Sequence, residues 1–187
     1  NIEYGVVPYA VGASFAVLVA EELFASGCKL LINITSAGQI VEADQTPYFV
    51  LIDRALRDEG TSYHYMPPSD FSYVNPTLMA HLDGAFNDTD VQVLKGATWT
   101  TDAPFRETES AIAYAQSEGI LGVEMEAAAL YAFAQAKAKD VICFAHITNQ
   151  MAQIEGDFEK GANNGSDTAL EVIDLTAKYY LRSTHVD

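Results

Sequence analysis

Two glutamates, Glu124 and Glu126, flank Met125 between Gly122-Val123 and the apolar run Ala127-Ala128-Ala129-Leu130-Tyr131-Ala132-Phe133. The run reads as a helix built for burial, with two carboxylates at its mouth. A glutamate in a first helical turn is favoured by the positive end of the helix dipole, which accounts for Glu124 as an ordinary structural residue. Glu126 needs another reason. At about 100° per residue the two side chains point to nearly opposite sides, so at least one must enter the protein and find a hydrogen-bond partner there. A polyol such as ribose would supply one.

Three further constellations follow apolar, strand-like runs, and α/β proteins bind ligands beyond strand ends. Ser36-Ala37-Gly38 follows Leu30 to Thr35; small residues there let backbone N–H groups approach an anion or a sugar, with the Ser36 hydroxyl as an added donor. The same three residues also suit a plain strand-exit turn. Gly96 to Arg106 packs hydroxyls, a carboxylate, an aromatic ring and a guanidinium into one strand exit. A heteroaromatic base stacked on Phe105 and bonded by Arg106 fits that set, and so does a turn organised by Thr101 or Asp102. His146-Ile147-Thr148-Asn149-Gln150 ends the third run, where Asn149 offers both a donor and an acceptor. Period-2 geometry groups His146 with Thr148, as a strand residue rather than a catalyst. The four His and two Cys lack zinc-like spacing, and no phosphate loop or dinucleotide fingerprint occurs.

The elements that must position these groups are legible from periodicity and punctuation. Ala13 to Ala25 is a helix closed by Gly27, and Leu30 to Thr35 a buried strand. Tyr48 to Ile52 is a second strand, Thr77 to Ala85 a helix after a proline-bounded loop, and Val91 to Trp99 an alternating strand. Arg106 to Ser117 reads as a helix stopped by Gly119, the Glu124 helix follows, Val141 to Thr148 is a strand, and Asp167 to Leu181 a closing helix. Helices alternating with apolar strands predict an α/β fold with helices on both faces of a largely buried sheet. Gly161 to Ser166 reads as a loop within one domain, not a boundary.

At 187 residues, 49% hydrophobic and 19% charged, the chain can bury one sizeable core. The balance of 10 Lys+Arg against 26 Asp+Glu, a net charge of −16, argues against nucleic acids and anionic membranes as partners and leaves small ligands open. Its apolar runs fall short of the roughly 20 residues that span a bilayer. Cys28 and Cys143 sit beside or within strand-like runs as buried free thiols, which favours a reducing, cytoplasmic setting. The chain opens without Met into Ile2 to Tyr9, read as a strand already in progress, so upstream sequence is expected to be missing.

Taken together, the segments resemble the nucleoside phosphorylase and nucleosidase superfamily, and most closely its uridine phosphorylase-like members. Val123-Glu124-Met125-Glu126-Ala127-Ala128 is similar to that family's ribose-binding motif. The order of Val11-Gly12-Ala13-Ser14, Ser36-Ala37-Gly38, Thr100-Thr101-Asp102, the Glu-Met-Glu helix and Thr148-Asn149 matches from Val6 to about Tyr180. The resemblance implies a single three-layer α/β/α domain with a central mixed sheet, lacking its N-terminal portion. It implies a pentosyltransferase that cleaves an N-ribosidic bond with phosphate as co-substrate and no other cofactor. A homo-oligomer, dimer or hexamer, is implied as well.

Carried over by position, Glu126 would bind ribose hydroxyls with Met125 packed against the sugar, and Gly12 and Ser36 would lie at the phosphate or nucleophile site. Thr101, Phe105 and Arg106 would border the base. Asn149 stands where purine enzymes place the Asp that protonates the leaving base and uridine enzymes place Asn. Glu126 and Asn149 are thus the expected catalytic pair. Asn33 departs from the phosphorylase pattern, which has an arginine on phosphate at that position; nucleosidases show a similar Ile-Asn before Ser-Ala-Gly. Hydrolysis by water, or nucleoside binding without catalysis, are therefore the alternatives to phosphorolysis.

Overall fold

The computed structural model describes residues 2–149 and 160–184. In chain order these residues form α1 (Ala13–Ala25), β1 (Leu30–Gln39), β2 (Tyr48–Asp58), β3 (Phe71–Tyr73), α2 (Pro76–His81), β4 (Val93–Thr101), α3 (Glu109–Ser117), β5 (Ile120–Glu124), α4 (Ala127–Lys137), β6 (Asp140–Asn149) and α5 (Ser166–Thr184). The expected α/β class with a central mixed sheet is what the chain adopts. Strand order is β3-β2-β4-β5-β1-β6, with β2 also pairing β6. That last pairing closes the central strands into a ring in which β1 lies parallel to β6, β2 to β4 and β4 to β5. The antiparallel seams are β1 with β5 and β2 with β6.

This closure decides where the strand ends go. At the β1–β5 seam the two strands run head to head, Gly38 opposite Val123 and Gln39 opposite Gly122. The C-terminal ends of β1 and β6 thereby meet those of β4 and β5 in one place. Close approach is built in at Gly122, where an added Cβ would lie 2.6 Å from Ile147 Cδ1 and 3.1 Å from the Gly38 carbonyl oxygen. Only glycine fits between the seams without displacing them.

α4 is the central helix, and every residue from Ala127 to Phe133 is buried. It is apolar all round because it is covered all round: α1 packs on one side and strands β2, β3, β4 and β6 on the others. The alanines let backbones come close, and Ser72 Oγ donates to the Ala128 carbonyl at 2.7 Å. Tyr131, fully buried, donates its hydroxyl to the Ile52 carbonyl at 2.6 Å and accepts the Cys143 N–H at 3.1 Å, joining α4 to β2 and β6.

Several element boundaries differ from the sequence reading. β5 was not anticipated: Ile120 to Glu124 is too short for its period to stand out beside the alanine-rich run. β1 continues through Ser36-Ala37-Gly38 with a register shift at Ala37/Gly38, so those residues are bulged strand rather than an exit loop. β2 runs on to Asp58, β3 is an additional strand, and α2 ends at His81. Arg106 belongs to a 3-10 turn, Pro104–Arg106, because Thr108 caps α3 by accepting the Ala111 N–H. Residues 2–11 are irregular: Pro8 has no N–H to give a ladder and Tyr9 adopts a φ of 62°.

Candidate active site

Glu124 is the last residue of β5, so the helical angle between the two glutamates does not apply; both carboxylates turn inward, and each is 2% exposed. Their tasks differ. Glu124 Oε2 accepts the N–H groups of Glu126 at 2.7 Å and Ala127 at 2.8 Å, two donors that a helix start leaves without intrahelical partners. Its Oε1 accepts from the hydroxyls of Thr98, at 3.2 Å, and Thr100. Thr100 Oγ1 also accepts the Ala128 N–H at 2.9 Å, so the mouth of α4 is sewn to β4. Burial, and then the neighbouring Glu126 charge, push the Glu124 carboxyl up to about 7. All the bonds of the Glu124 carboxylate thus go to the start of α4 and to β4.

Glu126 reaches the other way, across to β1 and α1. Its Oε1 accepts the Gly12 N–H at 2.6 Å and its Oε2 the Thr35 hydroxyl at 2.7 Å, with the Met125 N–H at 3.3 Å. Gly12 precedes the first turn of α1 with φ 90° and ψ 149°, a conformation that side chains disfavour, and it presents its N–H to the carboxylate from a helix N-terminus. The buried charge is therefore held by protein donors. A carboxylate has about four lone-pair sites, so capacity remains for ligand hydroxyls. Met125 beside it is half-buried.

Next to this carboxylate runs a chain of neutral groups. Ser36, exposed at the β1 bulge, has its hydroxyl 3.2 Å from Thr148 Oγ1, and Thr148 Oγ1 accepts from Asn149 Nδ2 at 3.2 Å. The register explains the grouping: Gly38 lies opposite both Val123 of β5 and Asn149 of β6. Gly12, Ser36, Met125, Glu126 and Asn149 thus gather where the strand ends meet. Thr35 and Thr148 belong to the same cluster and were not among the expected site residues. A hydroxyl one residue before Ser36 and another one before Asn149 were the available signals. Asn33 Nδ2 is buried and has no hydrogen-bond partner among the described residues.

Among the described residues no hydrogen bond joins Thr101, Phe105 or Arg106 to this cluster. The Thr101 hydroxyl donates to Asp58 Oδ2 at 3.2 Å and accepts the Ala103 N–H at 3.1 Å, and Asp102 accepts the Gly60 N–H at 2.9 Å. These bonds organise the turn, together with Trp99 Nε1 donating to Asp58 at 3.0 Å. Phe105 is fully exposed, and Arg106 is exposed beside it. His146 is a strand residue, its ring stacked on Phe49 at 4.3 Å, with burial lowering its pKa. Gln150 lies outside the described residues. Among the described residues no group of three or more His, Cys, Asp or Glu is arranged to hold a metal ion, and no helix is long and apolar enough to cross a membrane.

Comparison with known proteins gives the arrangement its context. The chain is 24% identical over 160 residues to a guanosine phosphorylase of Halorubrum lacusprofundi, covering 84% of this chain and 63% of that one. It is 31% identical over 135 residues to the uncharacterized protein R802 of Acanthamoeba polyphaga mimivirus, covering 70% and 52% respectively. The chain thus spans between about half and two thirds of the length of these curated relatives. Uridine phosphorylase from Vibrio fischeri ES114 shares the fold with a TM-score of 0.75 at 23% identity, over 90% of this chain and 72% of that one. AMP nucleosidase from Bacteroides thetaiotaomicron does so with a TM-score of 0.74 at 21% identity, over 94% and 72%. The model of the phosphorylase superfamily matches residues 5–178, which take in every strand and the whole Glu126 cluster: the chain belongs to that superfamily.

Proposed function

We propose that this chain is a nucleoside phosphorylase, cleaving the N-ribosidic bond of a nucleoside with phosphate to give the free base and ribose 1-phosphate. The observation that carries this reading is the buried Glu126 carboxylate, held by Gly12 and Thr35 beside the Ser36 and Thr148 hydroxyls and the Asn149 amide. Breaking the C1′–N bond leaves the electron pair on the base and positive charge on the sugar. A carboxylate that accepts ribose hydroxyls favours that cation, and a pre-bonded one need not reorganise as charge develops. Met125 packs against the sugar. The Ser36 hydroxyl, with the Gly12 backbone, lies at the face where a phosphate oxygen attacks C1′. Asn149 hydrogen-bonds the departing base; an amide cannot donate a proton to it as a general acid, which suits a pyrimidine better than a purine. Thr101, Phe105 and Arg106 border the base in this reading.

One observation favours a second reading, hydrolysis. Asn33 stands where phosphorylases resembling this chain carry a phosphate-binding arginine, and its amide Nδ2 is buried without a partner. A neutral side chain supplies no charge to a phosphate dianion. Release of uracil and purine bases from nucleosides, measured with and without phosphate, separates the two. Phosphate-dependent release supports phosphorolysis, and an unchanged rate without phosphate selects water. Binding of nucleosides with no base released in either condition overturns both readings.

A further inference from the structure

β6 carries an extra residue where its end meets β1. Ala37 pairs with Ile147 and Gly38 with Asn149, so Thr148 between them has no partner on β1. A bulge re-aims a side chain. Here a hydroxyl stands between two polar groups of the cluster: Thr148 Oγ1 lies 3.2 Å from Ser36 Oγ and accepts from Asn149 Nδ2 at 3.2 Å. The two hydroxyls differ in burial, for Thr148 is 1% exposed while Ser36 is open to solvent.

That difference fixes the direction of the hydrogen bonds. A hydroxyl has one proton to give and two lone pairs to fill. The Asn149 amide nitrogen fills one lone pair of Thr148 Oγ1 and accepts nothing in return, so among the described residues the Thr148 proton has Ser36 Oγ as its acceptor. Were Ser36 to donate instead, the Thr148 proton would be buried with no acceptor, at the cost of desolvating a polar group. Ser36 pays no such penalty, because its own proton can turn outward to water or a ligand. The chain therefore runs from the Asn149 amide through the Thr148 hydroxyl to the Ser36 hydroxyl, each donor polarising the next. The Thr35 hydroxyl is committed elsewhere, donating to Glu126 Oε2 at 2.7 Å.

We propose that Thr148 is a positioning residue that makes the Ser36 hydroxyl a fixed proton donor to the nucleophile, and that the nucleophile is accordingly an oxyanion, inorganic phosphate. This rests on the nucleoside-cleaving reading of the Glu126 cluster and separates its two nucleophiles by their chemistry. A phosphate oxygen offers lone pairs and is held by a donor. A water attacking C1′ must hand on a proton, and Ser36, which already accepts from Thr148, is not set to take it. In the step itself a phosphate oxygen lone pair forms the bond to C1′, the C1′–N bond breaks with its electron pair on the base, and Ser36 neither gains nor loses a proton. Its hydrogen bond orients the anion for that attack.

Inorganic phosphate is the probe, titrated into the full chain by calorimetry and varied in steady-state base release. Ser36→Ala should weaken phosphate by about tenfold, the scale of losing a donor to a charged acceptor. Thr148→Val, which keeps the shape and removes the hydroxyl, should weaken it roughly threefold or more, and Thr148→Ser should restore the parent value. A packing role would give the opposite order, met by Val and lost in Ser. In the Ser36→Ala background Thr148→Val should cost phosphate nothing further, because Thr148 acts through Ser36. Ser36 is exposed, so Ser36→Ala tests the donor even where Thr148→Val lowers the melting temperature. No saturable phosphate binding, an unchanged phosphate Kd in Ser36→Ala, or additive losses in the double variant would overturn the proposal. The nucleoside reading fails separately, when no base is released with or without phosphate, and the calorimetric series then still decides what Thr148 does.

Discussion

The backbone N–H of Gly12 donates to the Glu126 carboxylate at 2.6 Å across 114 residues of sequence. The entry to α1 and the entry to α4 are therefore one electrostatic unit, with a single buried charge between two helix N-termini. Thr35 completes it from β1 at 2.7 Å. The charge is stabilised before any ligand arrives, and its position is set by three separate elements.

Glu126→Gln keeps the shape and removes the charge that would favour a cationic sugar. On the nucleoside-cleaving reading kcat/KM should fall by about 100-fold, the scale of losing one preorganised electrostatic contact. Steady-state kinetics check this, with thermal melting as a control for folding. An unchanged kcat/KM removes Glu126 from the chemistry.

Thr35→Val removes a hydroxyl donor to a charged acceptor and keeps the β-branched shape. Such a bond is worth about 1.5–3 kcal/mol, so kcat/KM should drop roughly tenfold or more. Thr35→Ser should recover most of it. Equal kinetics for Val and Ser variants would show that the bond is structural only.

Glu124 sets a pH dependence of stability. Its carboxyl is raised from 4.5 to about 7, by burial first and the Glu126 charge second. The folded state then holds a proton that the unfolded chain has released, so this contribution is fully present below about pH 4.5 and is lost as pH rises through about 7. For a shift of this size the change is on the order of 3 kcal/mol. Glu124→Gln should flatten the decline of denaturation midpoint between those limits; parallel slopes for the two proteins would assign the titration to another group.

Arg57 anchors the turn beyond β2. Its buried guanidinium donates to Ser62 Oγ at 2.9 Å, the Pro67 carbonyl at 2.8 Å and Ser69 Oγ at 2.7 Å, and lies 4.3 Å over the Tyr63 ring. Arg57→Met leaves those groups without their donor and should cost about 3 kcal/mol in denaturant unfolding. Arg57→Lys should recover only part, because an ammonium cannot fork to three partners across a plane. A loss below about 0.5 kcal/mol in Arg57→Met would mean that water replaces the guanidinium.

Much of this was legible in the one-dimensional pattern. Ala13–Ala25 was bounded by its apolar run and closing glycine, β6 and α5 by their periods, and the residue types at the strand ends by their polarity against apolar runs. Glu124, Glu126, Ser36 and Asn149 could be picked out because polar groups beside buried segments must find partners. The family followed from the order of those groups along the chain. The sequence by itself therefore determined the class of fold, the family and five members of the cluster, Gly12, Ser36, Met125, Glu126 and Asn149. Tertiary structure alone decided which partners each member bonds. Glu124 ends a strand instead of starting a helix because β4 supplies Thr98 and Thr100 to hold it, and that pairing is non-local. Thr35 enters the cluster because the ring closes β1 onto β5 and α4. Asp53 is the extra residue of a bulge between Ile52 and Arg54, and no local period records a bulge.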